Sequence, residues 1–151
     1  MRRPRHLRRG NLGFLLAKAM QRWNEMLRDG FKREGFAHVR PSFGSVLVPL
    51  FEADGLRIGD LARRSGLTKQ TMTTMVRAVE GAGLVRQRAD PQDRRAIRVW
   101  LTGEAHRFRP AAERVLEKIE KIAAQGTAGA DLAAARRWLS TFSESLKPRV
   151  P

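Results

Sequence analysis

The sequence predicts a mainly α-helical fold with a small β-wing, arranged as a winged helix-turn-helix with helices at both ends. Two short helical patterns are separated by a glycine, and an arginine-rich segment with partial alternation follows them. Amphipathic stretches before and after this segment supply the terminal helices. With 151 residues, of which 42% are hydrophobic, the chain is large enough for one domain with an ordinary core.

The first ten residues, MRRPRHLRRG, form a segment too charged to pack, which we predict to be a flexible basic arm. Such an arm can lie along phosphates or enter a minor groove, and the alternative is a disordered tail that only aids solubility. A helix is then predicted from Leu12 to Asp29-Gly30. A second is predicted over Ser42–Ala53, with Pro49 as a local disturbance. Its inward residues are Val46, Leu47, Leu50 and Phe51.

The turn between the two central helices is predicted from the order of residue types. Leu61 and Ala62 lie in the first helix, where a close helix crossing favours a small residue. Gly66 falls where the chain leaves that helix, and a left-handed backbone conformation costs glycine little. Thr68 can cap the next helix, because its hydroxyl can accept a hydrogen bond from a free backbone N–H.

The second central helix has two distinct faces. Apolar residues at helical spacing, namely Met72, Met75, Val76 and Val79, predict a buried face. The opposite face carries hydroxyl, amide and cationic groups without a carboxylate, which suits the base edges of a DNA major groove. The alternative is a solvated helix rich in threonine. The predicted DNA-contacting residues are Thr68, Lys69, Gln70, Thr71, Thr73, Thr74 and Arg77.

A β-hairpin is predicted after Gly83, with strands over residues 84–88 and 96–101 and a turn over 89–93. The tip places two arginines beside two aspartates, Asp90 and Asp93. This arrangement can hold an arginine extended for a minor groove, and we read both carboxylates as orienting groups. The predicted DNA-contacting residues of this wing are Arg88, Asp93, Arg94 and Arg95.

Beyond the wing, Thr102 can cap a long helix that runs to about Gln125. The chain breaks at Gly126 to Gly129, and Asp131 can start a final helix. Both helices carry apolar stripes that bury poorly alone, so we infer a two-fold homodimer joined through its terminal helices. The alternative is that they pack only on their own domain. The dimer predicts an inverted-repeat DNA site with half-sites about one helical turn apart.

The central segment resembles the MarR family of winged-helix regulators. The matching stretches are DLARRSGLTKQTMTTMV, VEGAGLV and DPQDRRAIRVWLT, about a third of the chain. The resemblance implies that Arg95 enters the minor groove and that Asp93 orients it. It also implies a homodimeric repressor on a pseudo-palindromic operator, responsive to a small molecule. We expect a basic arm at 1–10 and one MarR-like domain at 11–151, with the winged helix-turn-helix at 56–102 and dimerisation helices at 11–30 and 104–147.

Composition agrees with a polyanionic partner. Thirty Lys and Arg residues oppose fifteen Asp and Glu, which gives a net charge of +15. No apolar run is long enough to cross a bilayer, and no signal peptide is evident, so we expect a cytoplasmic, nucleoid-associated protein of a bacterium or archaeon. The absence of cysteine excludes disulfides, thiolate metal sites and sensing by cysteine oxidation. Three scattered histidines predict no metal site, and we expect no cofactor.

An effector pocket is predicted around the first helix and the loop after it. Trp23, His38 and Arg40, with Phe36 and Phe43, could supply aromatic walls and a cation for a small aromatic or anionic effector. The alternative is ordinary core packing.

Catalytic signatures are missing from the sequence, so we predict that the protein is not an enzyme. Two other hypotheses remain: a basic chromatin-type protein that binds nucleic acid without sequence preference, and a winged module that contacts protein.

Overall fold

The computed structural model describes residues 7–147, which form mostly α-helix with one small antiparallel sheet. Residues 1–6 of the predicted basic arm lie outside this range. The described residues divide into two compact units, with the boundary between Val115 and Leu116. The elements are α1 (Leu12–Arg33), a 3-10 turn (Pro41–Phe43), α2 (Gly44–Glu52), β1 (Leu56–Arg57), α3 (Ile58–Ser65), α4 (Lys69–Gly81), β2 (Val85–Ala89), β3 (Ile97–Leu101), α5 (Gly103–Gln125) and α6 (Gly129–Ser145).

The predicted turn between α3 and α4 is confirmed. Gly66 follows α3 in the left-handed conformation, with φ +64° and ψ +28°. The backbone N–H of Leu67 then donates to the carbonyl of Ala62 at 2.9 Å, which closes the end of α3. Thr68 caps α4, because its Oγ1 accepts from the backbone N–H of Thr71 at 3.1 Å.

The core of the first unit lies between α2, α3, α4 and the sheet. Met72, Val76 and Val79 of α4 are fully buried, as their spacing predicts, whereas Met75 is half-buried. Leu61 of α3 is also fully buried. Burial of these side chains supplies most of the free energy that holds the helices together.

The sheet has three strands in the order β1-β3-β2, all antiparallel. β2 and β3 are the predicted hairpin, with Val85 opposite Leu101 and Ala89 opposite Ile97. The connecting loop spans residues 90–96, shifted by one position from the seven residues left between the predicted strands, and the predicted turn at 89–93 covers only its first part. β1 was not predicted, because a strand of two residues has no detectable alternation.

α1 corrects the predicted end of the first helix. The helix continues through Gly30 to Arg33 instead of stopping at the glycine. Gly30 is buried, and a Cβ placed there would lie 2.5 Å from Cγ1 of Val115 in α5. The glycine therefore serves close packing of two helices and does not terminate one.

α2 is shorter than predicted, because residues 41–43 form the 3-10 turn. Pro49 is buried inside the helix and has no N–H to offer the carbonyl of Ser45. The hydroxyl of Ser65, at the end of α3, donates to that carbonyl at 2.6 Å instead. Phe51, predicted to face inward, is half-buried with the guanidinium of Arg109 5.3 Å from its ring centre.

Thr102 confirms the predicted start of α5. Its Oγ1 accepts from the backbone N–H of Ala105 at 3.3 Å and donates to the carbonyl of Gly83 at 2.6 Å. The same residue therefore joins the start of α5 to the turn after α4.

The second unit contains the end of α5 and α6. Arg136 of α6 pairs with Glu120 of α5 at 2.7 Å, and the rings of Trp138 and Phe142 stack at 4.8 Å. The prediction that Asp131 starts the last helix is wrong, since α6 begins at Gly129. Asp131 lies in the first turn, where a carboxylate favours the positive end of the helix dipole. Between residues 7 and 147, no helix is both long and apolar enough to span a membrane.

We predict that Gly30→Ala destabilises the fold by ~1–3 kcal/mol, because the added methyl group overpacks the contact with Val115. Urea unfolding measures this change. Gly81→Ala is the matched control, since a Cβ there meets nothing within 4 Å. Equal stability of the two variants would contradict the packing role of Gly30.

Candidate nucleic-acid interface

The polar face of α4 is accessible, as predicted. Thr68 and the predicted residues of α4 are exposed, except for Thr73, which is half-buried. The only carboxylate of this helix is Glu80, near its C-terminal end. The first two turns therefore present hydroxyl, amide and cationic groups alone.

The threonine hydroxyls on α4 are engaged within the helix. Oγ1 of Thr73 donates to the carbonyl of Lys69 at 2.9 Å, and Oγ1 of Thr74 donates to the carbonyl of Gln70 at 3.2 Å. Oγ1 of Thr68 donates to Oγ1 of Thr71 at 2.9 Å. These bonds use the hydroxyl hydrogens of Thr68, Thr73 and Thr74, so those hydrogens are not available to a ligand.

A cleft of about 550 Å³ brings the helix-turn-helix and the wing together. Thr73 of α4 lines it opposite Gln87 of β2 and Ile97 of β3. Its one carboxylate, Asp60, forms an ion pair with Arg63. The cations that line the cleft are Arg57, Arg63, Lys69, Arg77 and Arg95. A phosphate backbone is the kind of ligand that such an excess of positive charge attracts.

The wing loop is ordered by its own backbone bonds. Oδ1 of Asp93 accepts from the backbone N–H of Arg95 at 3.1 Å, and the Asp93 carbonyl accepts from Ala96 at 2.9 Å. Asp93 was predicted to orient the side chain of Arg95. The observed bond instead fixes the backbone conformation at Arg95, so any effect on its guanidinium is indirect. Arg94 and Arg95 are both exposed at the tip, and Arg88 is exposed on β2.

Asp90 anchors the base of the wing, a role that the sequence did not predict. Its side chain is only 1% exposed, and Oδ2 accepts from Nε of Arg57 at 2.8 Å and from Nε of Arg98 at 2.9 Å. Oδ1 accepts from the backbone N–H of Gln92 at 3.0 Å. The bond from Gln92, and then the two guanidiniums, lower the pKa of the Asp90 carboxyl against the effect of burial. Asp90 is thus an ionised group of the wing base and lies apart from the exposed tip.

Arg57 and Arg98 are also brought together by the sheet, where they face each other across β1 and β3. Nη1 of Arg98 donates to the carbonyl of Gly55 at 2.8 Å. Arg57 remains 40% exposed and lines the cleft, so it belongs both to the wing base and to the cationic surface.

Glu80 provides a second link between α4 and the wing. Its carboxylate accepts from the backbone N–H of Gln87 at 3.0 Å and from Nε2 of the same residue at 2.7 Å. These two bonds, the backbone one first, lower the pKa of Glu80. The end of α4 is therefore fixed to β2.

Residues 41–97, which include α2, α3, α4 and the wing loop, match the model of the MarR family. The transcriptional regulator HosA of Escherichia coli O111:H- is 30% identical over 77 residues, which are 51% of this chain and 57% of HosA. Over its central segment, the chain is similar to the MarR family. The match covers little more than half the length of HosA.

Two solved structures of transcriptional regulators share the fold. The PcaV transcriptional regulator of Streptomyces coelicolor superposes with a TM-score of 0.78 at 19% identity, covering 91% of this chain and 95% of PcaV. The transcriptional repressor CouR superposes with a TM-score of 0.71 at 23% identity, covering 91% and 98%. The fold extends beyond the segment that the family model matches.

The predicted effector residues lie in three different settings. Nε2 of His38 lies 3.5 Å from the carboxylate of Glu104, Arg40 is exposed, and Trp23 is half-buried. Of the two accompanying aromatics, Phe36 packs edge-on against Phe108 at 5.3 Å and Phe43 is 5% exposed. Both phenylalanines therefore serve packing, and the effector pocket stays a prediction.

We predict that Asp90→Asn lowers the free energy of unfolding at neutral pH. The lowered pKa of Asp90 stabilises the fold above the ordinary aspartate value of 3.8, and this stabilisation is lost as the pH falls through the folded pKa. The difference in the free energy of unfolding between wild type and Asp90→Asn should therefore become smaller at acidic pH. Chemical unfolding at a series of pH values measures it.

Asp93→Asn is the control for this experiment, because that carboxylate is exposed in the same loop. A stability gap for Asp90→Asn that is independent of pH would show that the carboxylate charge does not hold the wing.

Proposed function

We propose that this chain is a sequence-specific double-stranded DNA-binding regulator of transcription that represses as a homodimer on an inverted-repeat operator. The cleft between α4 and the wing carries the proposal. It joins Lys69 and Arg77 to Arg95 on one accessible surface, and its one carboxylate is paired with Arg63. We assign the polar face of α4 to a major groove and the arginines of the wing tip to the neighbouring minor groove.

The structural relatives support this assignment. The CouR structure is of that repressor bound to a 23-mer DNA duplex, and the PcaV structure holds that regulator's natural ligand. By analogy we propose that a small molecule releases this chain from its operator. We place the protein with the DNA of a bacterial or archaeal cytoplasm.

Exposed apolar side chains support the homodimer. Trp138 and Leu139 of α6 are each 45% exposed, and Leu146 is 66% exposed just beyond the helix. Near the other end, Phe14 and Leu15 of α1 are 45% and 51% exposed. A second copy of the chain would bury these side chains, which are costly to leave in water. The helices at 11–30 and 104–147 remain our proposed dimerisation elements.

Non-specific binding of nucleic acid is the competing hypothesis, and it rests on the net charge of +15. Selection of bound fragments from the protein's own genome separates the two. A regulator enriches fragments with a two-fold motif, and its preference over random duplex persists at cellular ionic strength. Fragments without a shared motif would refute the proposed function.

We predict that Arg95→Ala weakens binding to the selected operator by ~1–3 kcal/mol and leaves the unfolding midpoint unchanged, because the side chain is exposed at the wing tip. Fluorescence anisotropy with a labelled duplex measures the affinity. Arg28→Ala removes the same charge from the exposed surface of α1 and serves as the control. Equal losses for the two variants would show that only net charge matters.

We predict that Leu139→Asp yields a folded monomer at micromolar concentration, because its half-exposed side chain contributes more to a dimer than to the chain's own core. Sedimentation equilibrium measures the mass, and operator affinity should fall about tenfold or more as one half-site is lost. Ser140→Asp adds the same charge at the next exposed position. A dimeric Leu139→Asp protein would contradict the proposed interface.

A further inference from the structure

The hydrogen bonds of Thr73 and Thr74 restrict what these side chains can recognise. Each hydroxyl hydrogen is donated to the carbonyl four residues earlier, at 2.9 Å for Thr73 and 3.2 Å for Thr74. A threonine bonded in this way has no remaining hydroxyl hydrogen for a ligand. It still offers its γ-methyl group and the acceptor capacity of its oxygen.

We propose that Thr73 and Thr74 recognise the C5-methyl groups of thymine, so that each operator half-site carries A·T pairs opposite the first two turns of α4. This inference rests on the proposed function and names the bases that it requires. Guanine presents two acceptors in the major groove, and a side chain without a hydrogen to donate gains nothing from them. An A·T pair presents a thymine methyl group in the same groove, which the remaining γ-methyl group of a threonine can contact.

The position of Gln70 supports the same base pair. Thr73 and Thr74 follow it by three and four residues, a spacing that places side chains next to each other on one helix face. Gln70 is exposed, and a glutamine amide can bond bidentately to adenine. The thymine methyl group lies beside the adenine edge in the same groove, so neighbouring side chains can contact the two halves of one pair.

Accessibility agrees with this assignment. Thr74 is exposed, and Thr73 is half-buried on the wall of the cleft that Lys69 and Arg77 also line. Thr73 therefore lies among cations suited to phosphates, and Thr74 is the next residue of the same helix, so a duplex held by those cations would bring its base edges close. Lys69 and Arg77 remain the residues able to donate to guanine.

Deoxyuridine substitution tests the inference directly, because it removes only the thymine methyl group. The operator is first selected from the genome, and each thymine of a half-site is then replaced by deoxyuridine in turn. We expect at least one replacement per half-site to weaken binding about fourfold, the factor that corresponds to about 0.8 kcal/mol for burial of one methyl-sized group.

Two substitutions at each threonine assign the methyl contact. Thr74→Val keeps the branched shape and removes the hydroxyl, so we expect operator affinity within about twofold of wild type and an unchanged deoxyuridine penalty. Thr74→Ser keeps the hydroxyl and removes the methyl group, so the deoxyuridine penalty should disappear at the thymine that Thr74 contacts and persist at the one that Thr73 contacts. Thr73→Val and Thr73→Ser form the corresponding pair, and thermal unfolding confirms that each variant is folded.

The outcomes separate this inference from the proposed function. A selected operator that binds equally well with thymine and deoxyuridine at every position would overturn methyl recognition and leave the regulator intact. Loss of binding by both valine variants with retention by both serine variants would assign the hydroxyls instead, and would also overturn it. Failure to select any operator would refute the proposed function itself.

Discussion

The arrangement of helix and wing depends on the buried carboxylate of Asp90. A buried charge is costly unless it is paired, and this one is satisfied by Arg57, Arg98 and the backbone of Gln92. Its partners come from β1, β3 and the wing loop, so all three must be in place before Asp90 can be buried. Together with the bonds between Glu80 and Gln87, this requirement gives the wing a fixed orientation relative to α4.

These links divide the basic residues into those that are paired with a carboxylate and those that are not, a difference that a net charge of +15 does not reveal. Arg57 and Arg98 form ion pairs with Asp90, and the cleft residue Arg63 forms one with Asp60. Lys69 and Arg95 line the same cleft and form no ion pair within residues 7–147. The cations best placed for phosphate are therefore few, although the whole chain is strongly basic.

Features set by local backbone chemistry could be predicted from the sequence. Gly66, Thr68 and Thr102 act through turns and caps that involve only a few neighbouring residues, and each has its predicted role. Asp90 and Arg57 are 33 positions apart, and no rule of spacing joins them. Gly30 has the appearance of a helix end until its contact with Val115 is known. The proposed interface residues lie on the predicted faces, but the bonds that limit the threonines needed the structure.

The restricted hydrogen bonding of the threonines limits how much specificity one half-site can provide. A glutamine bonded to adenine discriminates by about 1–3 kcal/mol, and two methyl contacts add about 0.8 kcal/mol each. One half-site therefore gives roughly 3–5 kcal/mol, near the lower limit of the ~4–10 kcal/mol that separates specific from non-specific binding. Contacts from the exposed cations to phosphates strengthen binding to every duplex equally and cannot raise this difference. Two copies of α4 on one duplex would double it, which is why the proposed regulator, with so few base contacts on each recognition helix, needs the proposed homodimer.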